Sequence, residues 1–169
     1  ENYNLYDLHK VIQLCFDWCD YHLHSFEIKG VNYQLPDPEN DAIYGSHPDE
    51  REIFLSILIS EGVKSFNYEY DFGDGWSHRV EIEKIAEKPI DHPVCIAGKN
   101  AAPFEDSGGP WGYQNKVEII KNPNHEEHKE ILDWVGLESP DEFDSAFVDY
   151  NLINDNLQNI DYYGEYNLD

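Results

Sequence analysis

Histidines, carboxylates and a cysteine occur in this sequence at spacings that would let them share a site. From His22 the chain alternates between two faces, so His22 and His24 lie on one side of a predicted strand. A later alternating segment puts His78 on the same side as Trp76. Imidazole nitrogen, carboxylate oxygen and thiolate sulfur are the donors that bind divalent metals in proteins. The candidate metal ligands are therefore His22, His24, His78, Asp74, Cys95 and Glu105.

A wider polar site is predicted where a glycine turn and a glycine-rich loop meet. Glycine suits a backbone that turns sharply and approaches a polar cluster closely. If the loop covers the turn, His78 should come within hydrogen-bond or common-ligand reach of at least one nearby carboxylate. Such a carboxylate–imidazole pair could also carry out acid–base chemistry. The site comprises Asp71, Asp74, Trp76, His78, Glu105, Asp106, Gly108 and Gly109.

Each of these residues also has a structural explanation, and that explanation is the favoured one. Aspartates beside glycines are typical of turns in which the side chain bonds the backbone, and inward histidines are often satisfied core groups. Cys95 can be a small buried apolar residue, and Glu105 and Asp106 can cap the glycine turn that follows them.

Several enzyme signatures are absent or incomplete. His125 and His128 are three residues apart, whereas a zincin helix needs four, and the glycines from Gly108 to Gly112 do not follow a strand of a dinucleotide fold. The sequence contains neither a P-loop nor a Gly-x-Ser-x-Gly elbow. Trp111 and Tyr113 in the glycine loop could instead form a recognition surface for another protein.

The surrounding periodicities predict one α+β domain with an antiparallel or mixed sheet and helices packed on it. Helical spacing is present over 5–19, 50–62, 113–121, 126–135 and 141–150, and two hairpins are predicted over 22–33 and 66–83. Residues 36–49 are predicted to form a surface loop, and 86–114 a long loop of the kind that carries sites. The chain from about residue 151 is predicted to be loosely held.

Composition narrows the classes of partner. The 169 residues include 35 acidic and 11 basic side chains, which gives a net charge of −24, and the basic residues form no run. Tight binding of the isolated chain to duplex nucleic acid is therefore not expected. Three cysteines suggest no disulfide framework, and the absence of a long apolar stretch or a leader pattern predicts a cytoplasmic protein without membrane contact.

Several motifs occur along the chain: Leu8-His9, Trp18, His22-Leu23-His24-x-Phe26, Tyr70-Asp71-Phe72-Gly73-Asp74-Gly75-Trp76-x-His78, Pro93-x-Cys95-x-x-Gly98 and Pro103-x-Glu105-Asp106-x-Gly108-Gly109-x-x-Gly112-Tyr113. Together they resemble the plasmid pRiA-type open-reading-frame-three-like family, also labelled the insertion-sequence passenger TnpR family. The resemblance spans residues 5–150. It implies an α+β domain, occurrence on plasmids and mobile elements, and no established activity. Many members carry a second cysteine before the Glu-Asp pair, which this sequence lacks, and that difference weighs against a thiolate metal site.

Two functions of different classes remain open. The leading one is a non-catalytic binding or accessory domain linked to plasmids and mobile elements, because the enzyme signatures are missing. The alternative is a metal-assisted hydrolase, acting for example on a phosphoester, because the chain offers a set of His, Asp and Glu side chains.

Overall fold

The computed structural model describes residues 3–163, apart from the side chains of residues 40 and 44. Four strands in this part of the chain form one antiparallel sheet in the order β2-β1-β3-β4. They are β1 (His24–Ile28), β2 (Val31–Tyr33), β3 (Ser65–Tyr70) and β4 (Trp76–Glu81). Both predicted hairpins are present, with Phe26 opposite Tyr33 in the first and Tyr68 opposite His78 in the second. The α+β prediction is confirmed, and the sheet is the antiparallel one of the two alternatives.

Six helices accompany the sheet in the described residues. They are α1 (Leu5–Phe16), α2 (Pro38–Tyr44), α3 (Leu55–Ser60), α4 (Gly109–Ile120), α5 (His128–Val135) and α6 (Tyr150–Gln158), with short 3₁₀ turns at Glu50–Glu52, Pro140–Glu142 and Ile160–Tyr162. A capping box starts α1, because the Asn4 side chain accepts the Asp7 amide and the Asp7 side chain accepts the Asn4 amide. Among the described residues, no helix combines the length and the apolar content needed to cross a bilayer.

The core lies between the inner face of the sheet and α1. Phe26, Tyr68 and Tyr70 are almost completely buried, as the period-two pattern predicts, and Leu5 of α1 is fully enclosed with them. Alternate strand positions turn polar side chains outward, so the two faces of the sheet differ in character. The packing of α1 on the sheet fixes the positions of the ends of β1 and β3. The candidate polar residues lie near these ends.

Three expectations about elements are wrong. Residues 36–49 include the helix α2, and α4 begins at Gly109 rather than at Tyr113. The helix predicted over 141–150 is only a 3₁₀ turn, which ends where Phe143 becomes extended.

The C-terminal helix forms further along the chain, where Asp149 caps α6 by accepting the amides of Asn151 and Leu152. Leu157 and Ile160 are buried, and α6 packs against α1, so residues 151–163 are held by tertiary contacts. The remainder of the predicted loose tail lies outside the described residues.

Candidate functional site

The glycine-rich loop lies directly on the turn between β3 and β4. The amide of Gly108 donates to Asp74 Oδ2 at 2.8 Å. Gly109 has a φ of +69°, and a Cβ placed on it would lie 2.4 Å from the carbonyl oxygen of Asp74. A side chain at this position would therefore collide with backbone, which explains the glycine. Asp74, Gly108 and Gly109 thus connect the loop to the turn.

Glu105 fastens the same loop to the segment that follows α1. The Tyr70 hydroxyl donates to Glu105 Oε1, and the Cys19 amide donates to Glu105 Oε2 at 2.8 Å. Burial, together with the Glu105 carboxylate, raises the pKa of Tyr70 well above its usual range, so the phenol remains a donor. Both carboxylate oxygens of Glu105 have protein partners, so this residue has a structural role: it holds the loop against the segment after α1.

His22, Asp71 and Asp106 form the cluster that combines an imidazole with two carboxylates. His22 Nε2 lies 3.1 Å from Asp106 Oδ1 and 3.8 Å from Asp71 Oδ2. One ligand atom from each of the three residues lies within 4.8 Å of the others. His22 Nε2 is enclosed by protein, yet it makes no hydrogen bond with any described residue. We call this cluster the rim triad.

The backbone explains how the carboxylates reach His22. Asp71 has a φ of +53° and uses Oδ1 to accept the amides of Gly73 and Asp74, which leaves Oδ2 to face His22. The Asp71 amide donates to the Leu23 carbonyl, so the turn is held against the beginning of β1. Asp106 has a φ of +54° in the docked loop, and its side chain is 65% exposed. The triad therefore has one buried side and one open side.

His78 does not join the carboxylates, contrary to the expectation from strand parity. Its Nδ1 bonds the Trp76 carbonyl at 3.1 Å, and its ring packs edge-on against Phe16 and Trp18. Burial lowers its pKa, which favours the neutral ring. His78 lies opposite Tyr68, well inside the strand, whereas the carboxylates lie beyond the strand ends. Trp76 is a core residue.

Cys95 is held in another part of the molecule. Its amide donates to Asn154 Oδ1 at 2.8 Å, and its carbonyl accepts the Asn154 side-chain amide at 3.1 Å. The residue lines a groove of about 780 Å³ between α1, the long loop and α6. It is not one of the residues gathered around His22 in the described structure.

His24 points inward into a buried network that the sequence reading did not anticipate. His24 Nε2 lies 2.8 Å from Glu50 Oε1, and its ring stacks on that of His9 with centroids 3.5 Å apart and planes 5° apart. Glu50 is fully buried, and its Oε2 has no partner among the described residues. Parallel rings cannot both direct their in-plane lone pairs at one ion, so the stack disfavours a metal shared by His9 and His24.

Hydrogen bonds also fix the other side of this network. The Tyr68 hydroxyl bonds His9 Nδ1 at 2.9 Å and accepts from Gln13 at 3.1 Å, while His9 Nε2 faces Asp20 Oδ1 at 3.0 Å. Burial, the main cause, lowers the pKa of His9 to about 4. His9 and Gln13 stand four residues apart on the apolar face of α1, and polar residues at that spacing were the available signal.

A cavity of about 550 Å³ opens beside these residues. Its walls include both carboxylates and imidazoles, and no lysine or arginine is among its described lining residues. Tyr21 and Phe72 add partly exposed aromatic surface. We call it the histidine cavity; its carboxylate and imidazole residues are Asp20, His22, His24, Asp37, Asp41 and His47.

Comparisons with known proteins match one family model and one uncharacterized relative over most of this chain. The family model of the plasmid pRiA4b ORF-3-like proteins matches residues 1–152. The chain is 39% identical over 150 residues to the uncharacterized protein y4hQ of Sinorhizobium fredii, covering 87% of this chain and 74% of that protein.

A solved structure is also similar to this chain. The crystal structure of MM3350 from Methanosarcina mazei Go1, a protein of unknown function, superposes with a TM-score of 0.73 and is 38% identical in sequence. The match covers 89% of this chain and 83% of that one. This chain therefore belongs to the plasmid pRiA4b ORF-3-like family.

Proposed function

We propose that this chain is a binding domain that holds a divalent cation at the rim triad, in an accessory role linked to plasmids and mobile elements. The observation that carries the proposal is the enclosed His22 Nε2, which faces two carboxylate oxygens without making a hydrogen bond. A buried imidazole nitrogen ordinarily donates or accepts a hydrogen bond. A cation between the three groups would satisfy all of them.

The distances suit such an ion. Ligand atoms bonded to one ion at about 2.1 Å lie roughly 3–3.5 Å apart in octahedral or tetrahedral geometry. The His22–Asp106 separation of 3.1 Å already matches, and the His22–Asp71 separation of 3.8 Å needs a contraction of a few tenths of an ångström. One nitrogen and two oxygens favour Mn²⁺, Fe²⁺ or Zn²⁺ over a thiophilic ion.

Electrostatics supports a cation as the ligand. The chain carries a net charge of −24, and the adjacent cavity lining contains three aspartates and no described lysine or arginine. The field of the protein therefore concentrates cations near the site. We extend the proposal to a cytoplasmic location, where free thiols persist and such ions are available.

Calorimetric titration with Mn²⁺ and Zn²⁺ tests the proposal. The wild type should bind one ion, and Asp106→Asn should weaken the affinity by about tenfold or more, since a ligand is lost from a small set. Asp106 is largely exposed, so its substitution should leave the midpoint of thermal unfolding unchanged.

Asp133→Asn is the matched control, because Asp133 is an exposed aspartate on α5, away from the rim triad. Equal affinities in the wild type and Asp106→Asn would overturn the proposal.

Metal-assisted hydrolysis is a second candidate function. The rim triad supplies three ligands and has an open side at Asp106, so an ion held there would retain positions for water or substrate. The histidine cavity is of a size that suits a small ligand. Because no lysine or arginine is present in its described lining, a phosphodiester with one negative charge fits better than a phosphomonoester with two.

Turnover by the Mn²⁺-loaded chain distinguishes the two candidates. A hydrolase should release nitrophenolate from bis(4-nitrophenyl) phosphate, and Asp106→Asn should lose that activity. Metal binding without turnover of this diester would leave the accessory binding role as the function.

A further inference from the structure

The three cysteines of the chain line one groove, although Cys95 is far in sequence from Cys15 and Cys19. Cys15 lies on α1, Cys19 follows that helix, and Cys95 belongs to the long loop. All three border the groove of about 780 Å³ between α1, the long loop and α6. In the described structure the three side chains are free thiols.

We propose that Cys15 and Cys95 are an oxidation site, at which peroxide converts the two thiols into a reversible disulfide between α1 and the long loop. Both side chains line the same groove, and the Cys95 thiol contributes, after burial, to the raised pKa of Cys15. Cys19 instead donates its amide to Glu105 Oε2 at 2.8 Å, and burial, together with the Glu105 carboxylate, raises the pKa of its thiol. The pairing is therefore selective within the set of three.

The fold holds Cys95 in place for this reaction. Asn154 of α6 bonds both the amide and the carbonyl of Cys95, and the Tyr150 hydroxyl bonds both the amide and the carbonyl of Gly98. These four hydrogen bonds clamp an irregular segment onto α6, and α6 in turn packs on α1. A loop thiol held in this way remains beside its partner, which raises the effective concentration for ring closure.

The chemistry balances with one equivalent of hydrogen peroxide. The Cys95 sulfur attacks peroxide, the O–O bond breaks, and a sulfenic acid and one water form. The Cys15 sulfur then attacks the Cys95 sulfur, and the departing hydroxide takes the Cys15 proton to form a second water. Two electrons pass from the two sulfurs to the peroxide.

The environment assigns the order of the two steps. Burial raises the pKa of Cys15 to about 11, which keeps this thiol protonated at neutral pH. Cys15 is therefore the resolving partner, and Cys95 reacts first. The disulfide would fasten to α1 the loop that carries Asp106, because Cys95 and Asp106 belong to the same irregular stretch before α4.

Peptide mapping of the full chain under non-reducing conditions tests the proposal. Cys19→Ser is the background, because Cys19 is exposed and could link two molecules. After stoichiometric peroxide, the expected product is a Cys15–Cys95 linked peptide that dithiothreitol separates. The cross-link joins positions 15 and 95, which are 80 residues apart in sequence. The thermal midpoint should rise by roughly 5 °C or more.

Control variants separate the thiol pair from other effects of peroxide. Adding Cys95→Ser, or either Cys15→Ala or Cys15→Ser, to the background should abolish the linked peptide and the thermal shift. Dimedone should label Cys95 when Cys15 is replaced. The proposal is overturned if both thiols remain alkylatable after peroxide, if they proceed to sulfinic acid without a link, or if the wild type links Cys19 instead.

Discussion

Individual residues in this protein divide into those that hold the fold and those with unsatisfied chemistry. Asp74 Oδ2 accepts the Gly108 amide, and both carboxylate oxygens of Glu105 accept hydrogen bonds, so the prominence of these residues in the sequence reflects architecture. His22 differs, because its Nε2 faces two carboxylates without forming a hydrogen bond. A neighbouring imidazole, His9, is fully satisfied and remains neutral.

The neutral state of His9 predicts an acid sensitivity of folding. Its pKa falls from 6.5 to about 4 in the folded chain, where Asp20, His24 and Tyr68 surround the ring. The unfolded chain therefore takes up this proton first. The contribution of neutral His9 to the free energy of unfolding is fully present above pH 6.5. It is lost as the pH falls toward 4, by about 3 kcal/mol in total.

Urea denaturation of the wild type and of His9→Gln at several pH values measures this effect. Carboxylates also titrate in this range, so the informative quantity is the difference between the two proteins. The wild type should lose more of its free energy of unfolding than His9→Gln between pH 6.5 and 4. Parallel pH dependences would show that His9 does not titrate differently on folding.

At the scale of elements, the contact between the glycine loop and the β3–β4 turn brings the site together. The loop contributes Asp106, the turn contributes Asp71, and the segment before β1 contributes His22. Close backbone approach at Gly109 is what permits this meeting. The strand ends place the carboxylates beyond the sheet, while His78 remains inside it.

A substitution at this contact should be costly. Gly109→Ala forces an alanine into the left-handed backbone region. It also places Cβ 2.4 Å from the Asp74 carbonyl oxygen, so the loop must shift. We expect a loss of about 3 kcal/mol in the free energy of unfolding. Metal binding should also weaken, because Asp106 belongs to this loop and would move with it.

Gly62→Ala is the matched control for this experiment. Gly62 has a similar φ of +73°, but a Cβ there would meet no atom within 4 Å. Its cost should be limited to about 1–2 kcal/mol from the backbone conformation alone. Equal losses in the two variants, measured by urea denaturation, would show that the loop–turn contact adds nothing.

At the scale of the whole molecule, charge governs which partners can approach. The excess of 35 acidic over 11 basic residues produces a repulsive field for polyanions, while it favours cations at the rim triad. Exposed Trp111, at the start of α4, is a candidate contact for another protein.

The same field predicts that the isolated chain will not bind duplex DNA tightly. A gel-shift titration at physiological salt should show no retarded complex at micromolar protein, because phosphate contacts need clustered basic side chains. Repeating the titration with Mn²⁺ tests whether a bound cation bridges to phosphate. Tight binding that weakens steeply with added salt, in the absence of metal, would contradict the prediction.

The sequence alone determined the elements whose pattern is local. Period-two alternation predicted both hairpins and the burial of Phe26, Tyr68 and Tyr70, because successive side chains of a strand must face opposite sides. It also indicated Asp71, Asp106 and His22 as members of a polar set. Local signals failed for α2 and α6. Asp37 accepts the Glu39 amide at the start of α2, whereas α6 is stabilised by its Asp149 cap and by packing on α1.

Only the tertiary structure decided which members of the polar set meet. Strand parity predicts the face of the sheet on which His22, His24 and His78 lie. It predicts neither their position along the sheet nor which residues cover them. The loop–turn contact selected His22, the Glu50 carboxylate engaged His24, and the aromatic core enclosed His78. These outcomes depend on contacts between residues distant in sequence, which local periodicity does not encode.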